Sequence, residues 1–249
     1  MFNIQPNIRF KYIKTYMHSN KIDIIIPIYN ETYNIFKSVL KLKNKLNFNH
    51  EIILCYDHND KNFIHYKKIQ NNFLNIQLIK NDNSGPCEAV KTGLKISKSD
   101  YKIIFPCDDI NNFSVLNLMS KLSINKYDVI VPSRFIEGGS MKNCPLIKSI
   151  IVRLVSKSLN FLKIIPVKDA SNGFRFFSKK FLDETKIESK IGFSYSLELL
   201  IKSKVLKKKI KEVPCTWEER KSGKSNFKIL KWAPAYIKWY IYGLLNFYR

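Results

Sequence analysis

Acidic residues follow four successive strand-like runs in a chain that carries only twenty acids against 43 bases. The first run ends in Pro27, Tyr29, Asn30 and Glu31, and the second in Asp57, His58, Asn59 and Asp60. The third is followed by Asn81, Asp82 and Gly85, and the fourth by Asp108 and Asp109. Carboxylates gathered at one edge repel one another unless a cation or hydrogen-bond donors join them. A hard divalent ion, Mg²⁺ or Mn²⁺, bridging a diphosphate would supply that cation. Taken singly, an Asp after a strand is a turn residue or helix cap, and Asp60 and Asp82 are read that way. Tyr29 taken alone reads as core packing. It is the convergence of acids after four strands that points to a ligand.

The elements that must position these residues are legible as alternating patterns. Residues 22–29 form a continuous apolar run rich in β-branched side chains, suited to a strand buried on both faces. Further strands are expected over 51–56, 75–79, 101–107 and 127–132, with helices including 85–96 between them. Such alternation predicts an α/β fold with a mostly parallel central sheet flanked by helices. In that architecture ligands bind beyond the carboxyl ends of the strands, where the acids lie. After residue 140 the pattern shifts. Ile147, Ile150, Ile151, Leu154, Val155 and Leu159 mark a long amphipathic helix. Residues 173–178 and 210–217 read as strands, with a helix from about Phe193 between them, and an aromatic helix follows Phe227. No internal repeat or linker interrupts the chain.

The 249 residues suffice for one large domain, and a hydrophobic fraction of 45% excludes a mainly disordered protein. A net charge of +23 calls for an anionic partner: nucleic acid, a membrane surface or a phosphorylated substrate. Biased residue usage, with Lys, Asn and Ile all frequent, also accounts for part of it. The five scattered cysteines show no C-x-x-C spacing, which points away from structural zinc and toward a reducing compartment. The first twenty residues lack the apolar run of a signal peptide, and no apolar stretch of about 20 residues spans a bilayer.

The stretch IIIPIYNE at 24–31 resembles the opening strand and turn of glycosyltransferase family 2. NDNSGPCEAVKTGL at 81–94, PCDD at 106–109, VPSRFIEGG at 131–139, DASNGFRFF at 169–177 and EVPCTWEERKSGKSNF at 212–227 follow in register. They resemble the polyprenyl-phosphate subgroup typified by dolichol-phosphate mannosyltransferase. The resemblance covers about residues 21–230. It implies a GT-A fold over that range; residues 1–20 read as an extension before it, and 231–249 as an amphipathic aromatic tail helix and possible membrane-interface segment. It further implies an inverting, metal-dependent transfer from a GDP- or UDP-linked sugar. Pro27, Tyr29, Glu31, Asp57 and Cys107 are then expected at the donor, Asp108 at the metal and diphosphate with the adjacent Asp109 as a second metal ligand, and Asp108, Asp109 and Arg220 as the catalytic groups. Arg220 is expected to grip the diphosphate, while Arg134, Arg153 and Ser156 would receive an acceptor phosphate. Three positions depart from the family pattern: Pro106 stands for the first Asp of Asp-x-Asp, Tyr56 for the first Asp of an Asp-Asp turn, and Asn226 for a Lys.

A phosphate monoester acceptor, largely dianionic at neutral pH, needs no general base, whereas a sugar hydroxyl does. No histidine follows His65, which favours polyprenyl phosphate. Asp109 or Asp169 as a base keeps a glycan hydroxyl, in surface polysaccharide assembly, as an alternative. A catalytically inactive nucleotide-binding scaffold is another. Nucleic acid is not expected as a partner, since acids at the strand ends would repel its phosphates. Basic residues over 202–231 followed by Trp and Tyr are what a helix on an anionic leaflet needs, which predicts a cytoplasmic protein peripheral at the inner face of the membrane. The competing reading is that those aromatics are core.

Overall fold

The computed structural model describes residues 21–31, 33–109, 111–219 and 229–246. Strands β1 (Ile22–Ile28), β2 (His50–Tyr56), β3 (Ile76–Lys80) and β4 (Tyr101–Ile104) alternate with helices α1 (Tyr33–Lys45), α2 (Phe63–Asn72) and α3 (Pro86–Ile96). Then come α4 (Phe113–Ser123), β5 (Val129–Ser133), β6 (Ser140–Lys142), α5 (Leu146–Phe161), β7 (Arg175–Ser178) and α6 (Lys179–Asp183). The chain continues through α7 (Tyr195–Val205), β8 (Ile210–Pro214), β9 (Thr216–Glu218) and α8 (Ile229–Leu245).

Seven strands form one sheet in the order β3-β2-β1-β4-β7-β5-β8. Only β7 runs against its neighbours β4 and β5; the other pairings are parallel. The alternation of β1 side chains explains why both sheet faces are covered. Ile22, Ile24, Ile26 and Ile28 pack with residues of α1, α2 and α4, while Ile25 packs with residues of α3, α7 and α8. The chain winds outward from β1 to β3 and then returns to place β4 on the other side of β1. Sequence order therefore reverses between β1 and β4, and a crevice is expected at their carboxyl ends.

Helix α3 lies tightly on β1 and β2 because Gly93 has no side chain. A Cβ there would stand 2.4 Å from Ile25 Cγ2 and 3.0 Å from Cys55 Sγ. The segment expected as one strand over 210–217 is two. Pro214 has no N–H with which to continue a ladder, and β9 leaves the main sheet to pair in parallel with β6. The short β6 has no signal in its sequence. β4 ends at Ile104, three residues before the expected limit, as the chain turns at Pro106.

The aromatic tail differs from its sequence reading. Trp239 is 1% exposed and Trp232 is also buried, while Tyr236, Tyr240 and Tyr242 pack against the same core. The aromatics that suggested a membrane helix are thus core residues. Trp239 donates Nε1–H to Ser189 Oγ at 2.8 Å. The Ser189 amide donates to Glu198 Oε2 on α7 at 2.8 Å, and its carbonyl accepts from Cys87 Sγ on α3 at 3.2 Å. All five cysteines are free thiols. Among the described residues, no helix is long and apolar enough to cross a membrane.

Candidate functional site

The four loops that carry the acids all leave the carboxyl ends of parallel strands, and the first three are stitched together. Asn30, in the left-handed region at φ 53°, donates its amide to Asp60 Oδ2 at 2.8 Å. The Tyr66 hydroxyl donates to the same oxygen at 3.0 Å and accepts from the Glu31 amide at 2.9 Å. Asp60 also caps its own turn by accepting from Asn62 N. It is a structural anchor that fixes the turn carrying Tyr29, Asn30 and Glu31. Pro27 is half-buried, Tyr29 is exposed, and Glu31 is buried.

Asp57 joins the second loop to the third. Its Oδ1 accepts from Asn81 Nδ2 at 2.7 Å and its Oδ2 from the Gly85 amide at 2.8 Å. Gly85 adopts φ 103°, a conformation side chains resist, and Pro86 then opens α3. Asp57 is buried, so its first task is to hold the start of α3. Asn81 Oδ1 is buried and has no hydrogen-bond partner, the one orphaned side-chain acceptor found in these loops.

At the end of β4, Cys107 is buried and Asp108 is half-buried. Asp109 is engaged within its own loop. Its Oδ1 accepts from the Asn111 and Asn112 amides, both at 3.0 Å, and its Oδ2 accepts from Asn112 Nδ2 at 2.5 Å. Burial pushes its pKa up against the pull of these donors. Asp109 therefore braces its own loop. Asn112, which sequence reasoning missed, donates Nδ2–H to the Thr216 carbonyl at 2.7 Å and accepts from the Thr216 amide at 3.0 Å. This ties β9, which ends just before residues 220–228, to the Asp108 loop. Arg220 itself lies outside the described residues.

No group of three or more His, Cys, Asp or Glu side chains is poised to hold a metal among the described residues. A divalent ion in this setting does not require one. Mg²⁺ is held by one or two carboxylates together with substrate phosphates. Asp108, half-buried just beyond the end of β4, fits that role.

The expected acceptor-phosphate residues separate. Arg134 is buried and donates Nε–H to Asp169 Oδ2 at 2.7 Å and Nη2–H to Asp169 Oδ1 at 2.8 Å, with a further bond to Ser171 Oγ. Ser156 is fully buried, its hydroxyl accepting from the Ala170 amide. Both side chains are thus engaged within the fold. Arg153 is exposed. It lines a groove of about 360 Å³ with Phe135, Lys157, Asn160, Phe161 and Lys168. The Phe135 ring lies between two guanidiniums, 5.1 Å from that of Arg134 and 4.8 Å from that of Arg153. Lys157, one helical turn beyond Arg153, and Phe135, next to Arg134, were signals available in the sequence.

Residues 23–186 match glycosyl transferase family 2. The chain is 26% identical over 229 residues to a dolichol-phosphate mannosyltransferase of Pyrococcus furiosus, covering 88% of this chain and 64% of the relative. It thus spans a little under two thirds of that protein's length. Over 106 residues it is 28% identical to an undecaprenyl-phosphate mannosyltransferase of Micrococcus luteus, 41% of this chain and 43% of that one. The glucosyl-3-phosphoglycerate synthase of Mycobacterium tuberculosis, in complex with Mn²⁺, UDP and glucosyl-3-phosphoglycerate, superposes with a TM-score of 0.66. That superposition covers 91% of this chain and 79% of the other at 14% identity, a likeness of fold.

Proposed function

The chain belongs to glycosyl transferase family 2 and has the GT-A fold, and from that premise we propose that it transfers a sugar from a nucleoside diphosphate sugar to a polyprenyl phosphate. The observation that carries the acceptor is the groove of Arg153, Lys157 and Lys168, three cations with no carboxylate in its lining and two aromatic rings in its wall. A phosphate monoester bearing an apolar chain matches both halves of that lining.

The donor's nucleoside would lie against Pro27, Tyr29 and Glu31, on the turn held by Asp60 and Tyr66. Asp57 sets the start of α3, and the orphaned Asn81 Oδ1 supplies an unused acceptor for a donor group of the base. Asp108 would hold a Mg²⁺ or Mn²⁺ ion, whose chemistry is to neutralise charge developing on the leaving diphosphate. Arg220 would share that task through the planar, bidentate contacts that guanidinium makes to phosphate. A phosphate oxygen of the acceptor forms the new bond to the anomeric carbon. The bond from that carbon to the diphosphate breaks, its electron pair leaving with the nucleoside diphosphate, and the configuration inverts.

No proton need be removed from the nucleophile. That accords with the carboxylates near the site. Asp169 is fully buried and engaged by Arg134, and Asp109 is engaged by its loop, which supports an acceptor that needs no base.

The test is incubation of the purified protein with labelled GDP- and UDP-sugars, Mg²⁺ or Mn²⁺, and a short polyprenyl phosphate, followed by solvent extraction. Label in an acid-labile lipid is the expected result. Donor binding without lipid label, but with label in a soluble glycan, would replace this reading with a hydroxyl acceptor. Donor binding with no transfer to either would leave an inactive scaffold.

A further inference from the structure

Asn112 is the residue before helix α4, and it gives up the cap that an Asn there ordinarily supplies. Its carbonyl accepts from the Val115 and Leu116 amides, but its side chain makes no capping bond to the helix. The side chain turns instead to β9, 104 residues away in sequence. Nδ2 donates to the Thr216 carbonyl at 2.7 Å, and Oδ1 accepts from the Thr216 amide at 3.0 Å. A carboxamide carries the same donor and acceptor as a peptide unit. Asn112 therefore pairs with Thr216 as a neighbouring strand would, while residues 216–218 pair with β6. The other Nδ2 hydrogen goes to Asp109 Oδ2 at 2.5 Å. With Asn112 only 4% exposed, removing its carboxamide would leave partners without a match out of reach of water.

Asp108 lies in the turn that this bridge holds. The turn closes where the Asp109 amide donates to the Pro106 carbonyl at 3.2 Å. On the β4 side it is moored to the sheet, since the Phe105 amide donates to the Ile25 carbonyl of β1 at 2.9 Å. On the other side the Asp109 carboxylate accepts from the Asn111 and Asn112 amides, and Asn112 carries the connection on to β9. Asn111 Nδ2 adds a longer bond to Glu218 Oε2 at 3.4 Å. The Asn112 pair is the shorter link, made by a buried side chain. A residue that served α4 alone would cap it; Asn112 spends its side chain on suspending the Asp108 turn from two elements.

We propose that Asn112 is a positioning residue for Asp108, its carboxamide fixing the turn over 106–109 against β9. The inference rests on the proposed role of Asp108 as a ligand of Mg²⁺ or Mn²⁺. Pro106 stands where the family pattern has its first Asp, so the placement of Asp108 carries more of the metal's affinity. Partners that orient a metal ligand set that affinity, and their loss typically costs about 10–100-fold.

The test is calorimetry of UDP and GDP binding to the full chain, each with and without Mn²⁺, on two variants. Asn112→Ser retains a residue favoured at a helix N-cap but lacks the carboxamide. Asn112→Asp keeps an acceptor for the Thr216 amide but sets a second carboxylate against Asp109. Thermal unfolding confirms that each folds. Metal-free affinity should stay within about twofold of the unaltered protein, while the tightening by Mn²⁺ falls about tenfold or more. In transfer assays kcat should drop with acceptor KM little changed, and recover as Mn²⁺ is raised. A turn that merely loosens would weaken metal-free and metal-bound binding alike, and equal losses overturn the proposal. So does Mn²⁺ tightening that neither folded variant diminishes. Asp108→Asn in the same assay separates the two layers. Tightening lost there but kept in the Asn112 variants overturns the positioning role alone. Tightening that survives Asp108→Asn, or that the unaltered protein lacks, overturns the metal assignment and the role of Asn112 with it.

Discussion

The Arg134 guanidinium meets the Asp169 carboxylate edge to edge, Nε to Oδ2 at 2.7 Å and Nη2 to Oδ1 at 2.8 Å, with both side chains buried. Asp169 also accepts from the Arg134, Ser171 and Asn172 amides. Burial alone would raise its pKa; the charge and hydrogen bonds of Arg134, with Arg175 nearby, reverse this and hold it below the usual carboxylate range. The pair fixes the backbone just before Phe135 to the loop that precedes β7.

Asp169→Asn leaves a buried guanidinium without its counter-charge and should cost about 3–5 kcal/mol in denaturant unfolding at neutral pH. A folded-state pKa below the unfolded value, near 3.9, means that the contribution is complete above that pH and drains away as pH falls through the folded-state pKa. The stability gap between wild type and variant should therefore narrow below about pH 4. A gap that stays constant with pH would show that packing, not charge, sets the loss.

Phe135→Leu keeps bulk in the groove wall but removes the ring face on which Arg153 rests. Such contacts contribute about 0.5–1 kcal/mol at exposed sites. The expected result is a KM for polyprenyl phosphate raised by a few fold with kcat and donor affinity little changed, and restoration by Phe135→Tyr. A fall in kcat alone would place the ring elsewhere in the reaction.

Asp108→Asn should abolish transfer while leaving the thermal unfolding curve close to that of the wild type. Calorimetry should show nucleoside diphosphate binding that no longer tightens when Mn²⁺ is added. Persistent tightening would transfer the metal to another ligand.

Gly93→Ala forces a methyl to within 2.4 Å of Ile25 and 3.0 Å of Cys55, so α3 must rise from the sheet or the core must shift. Overpacking of this kind costs about 1–3 kcal/mol, measurable by urea unfolding. Because α3 starts at the Asp57–Gly85 bond, donor affinity should fall with it. An unaltered midpoint would show that α3 slides freely.

The parallel half of the sheet was legible because a doubly buried strand must be apolar throughout, as residues 22–28 are. The ligand-facing edge was legible because acids recur there against a basic background. Local pattern could not say which acids brace loops. Asp108 and Asp109 are adjacent and chemically identical, and only Asn112, three residues on, shows that Asp109 is engaged. The Arg134 pairing was likewise invisible to local pattern because its partner Asp169 is 35 residues away. The aromatic tail misled for a related reason: Trp beside Lys is equally a membrane belt or a core residue with a neighbouring charge. Lys202 lies 4.9 Å from the buried Trp239 ring, and the second arrangement holds there.

Ser189 spends its amide, carbonyl and hydroxyl on three different helices, α7, α3 and α8. A residue surveyed from three directions acts as a benchmark: none of the three helices can be displaced without the other two registering it. The helix that starts at the Asp57–Gly85 bond and the helix that carries Trp239 thus share a common origin of coordinates. Amide exchange at position 189 would serve as a single gauge for both ends of the molecule.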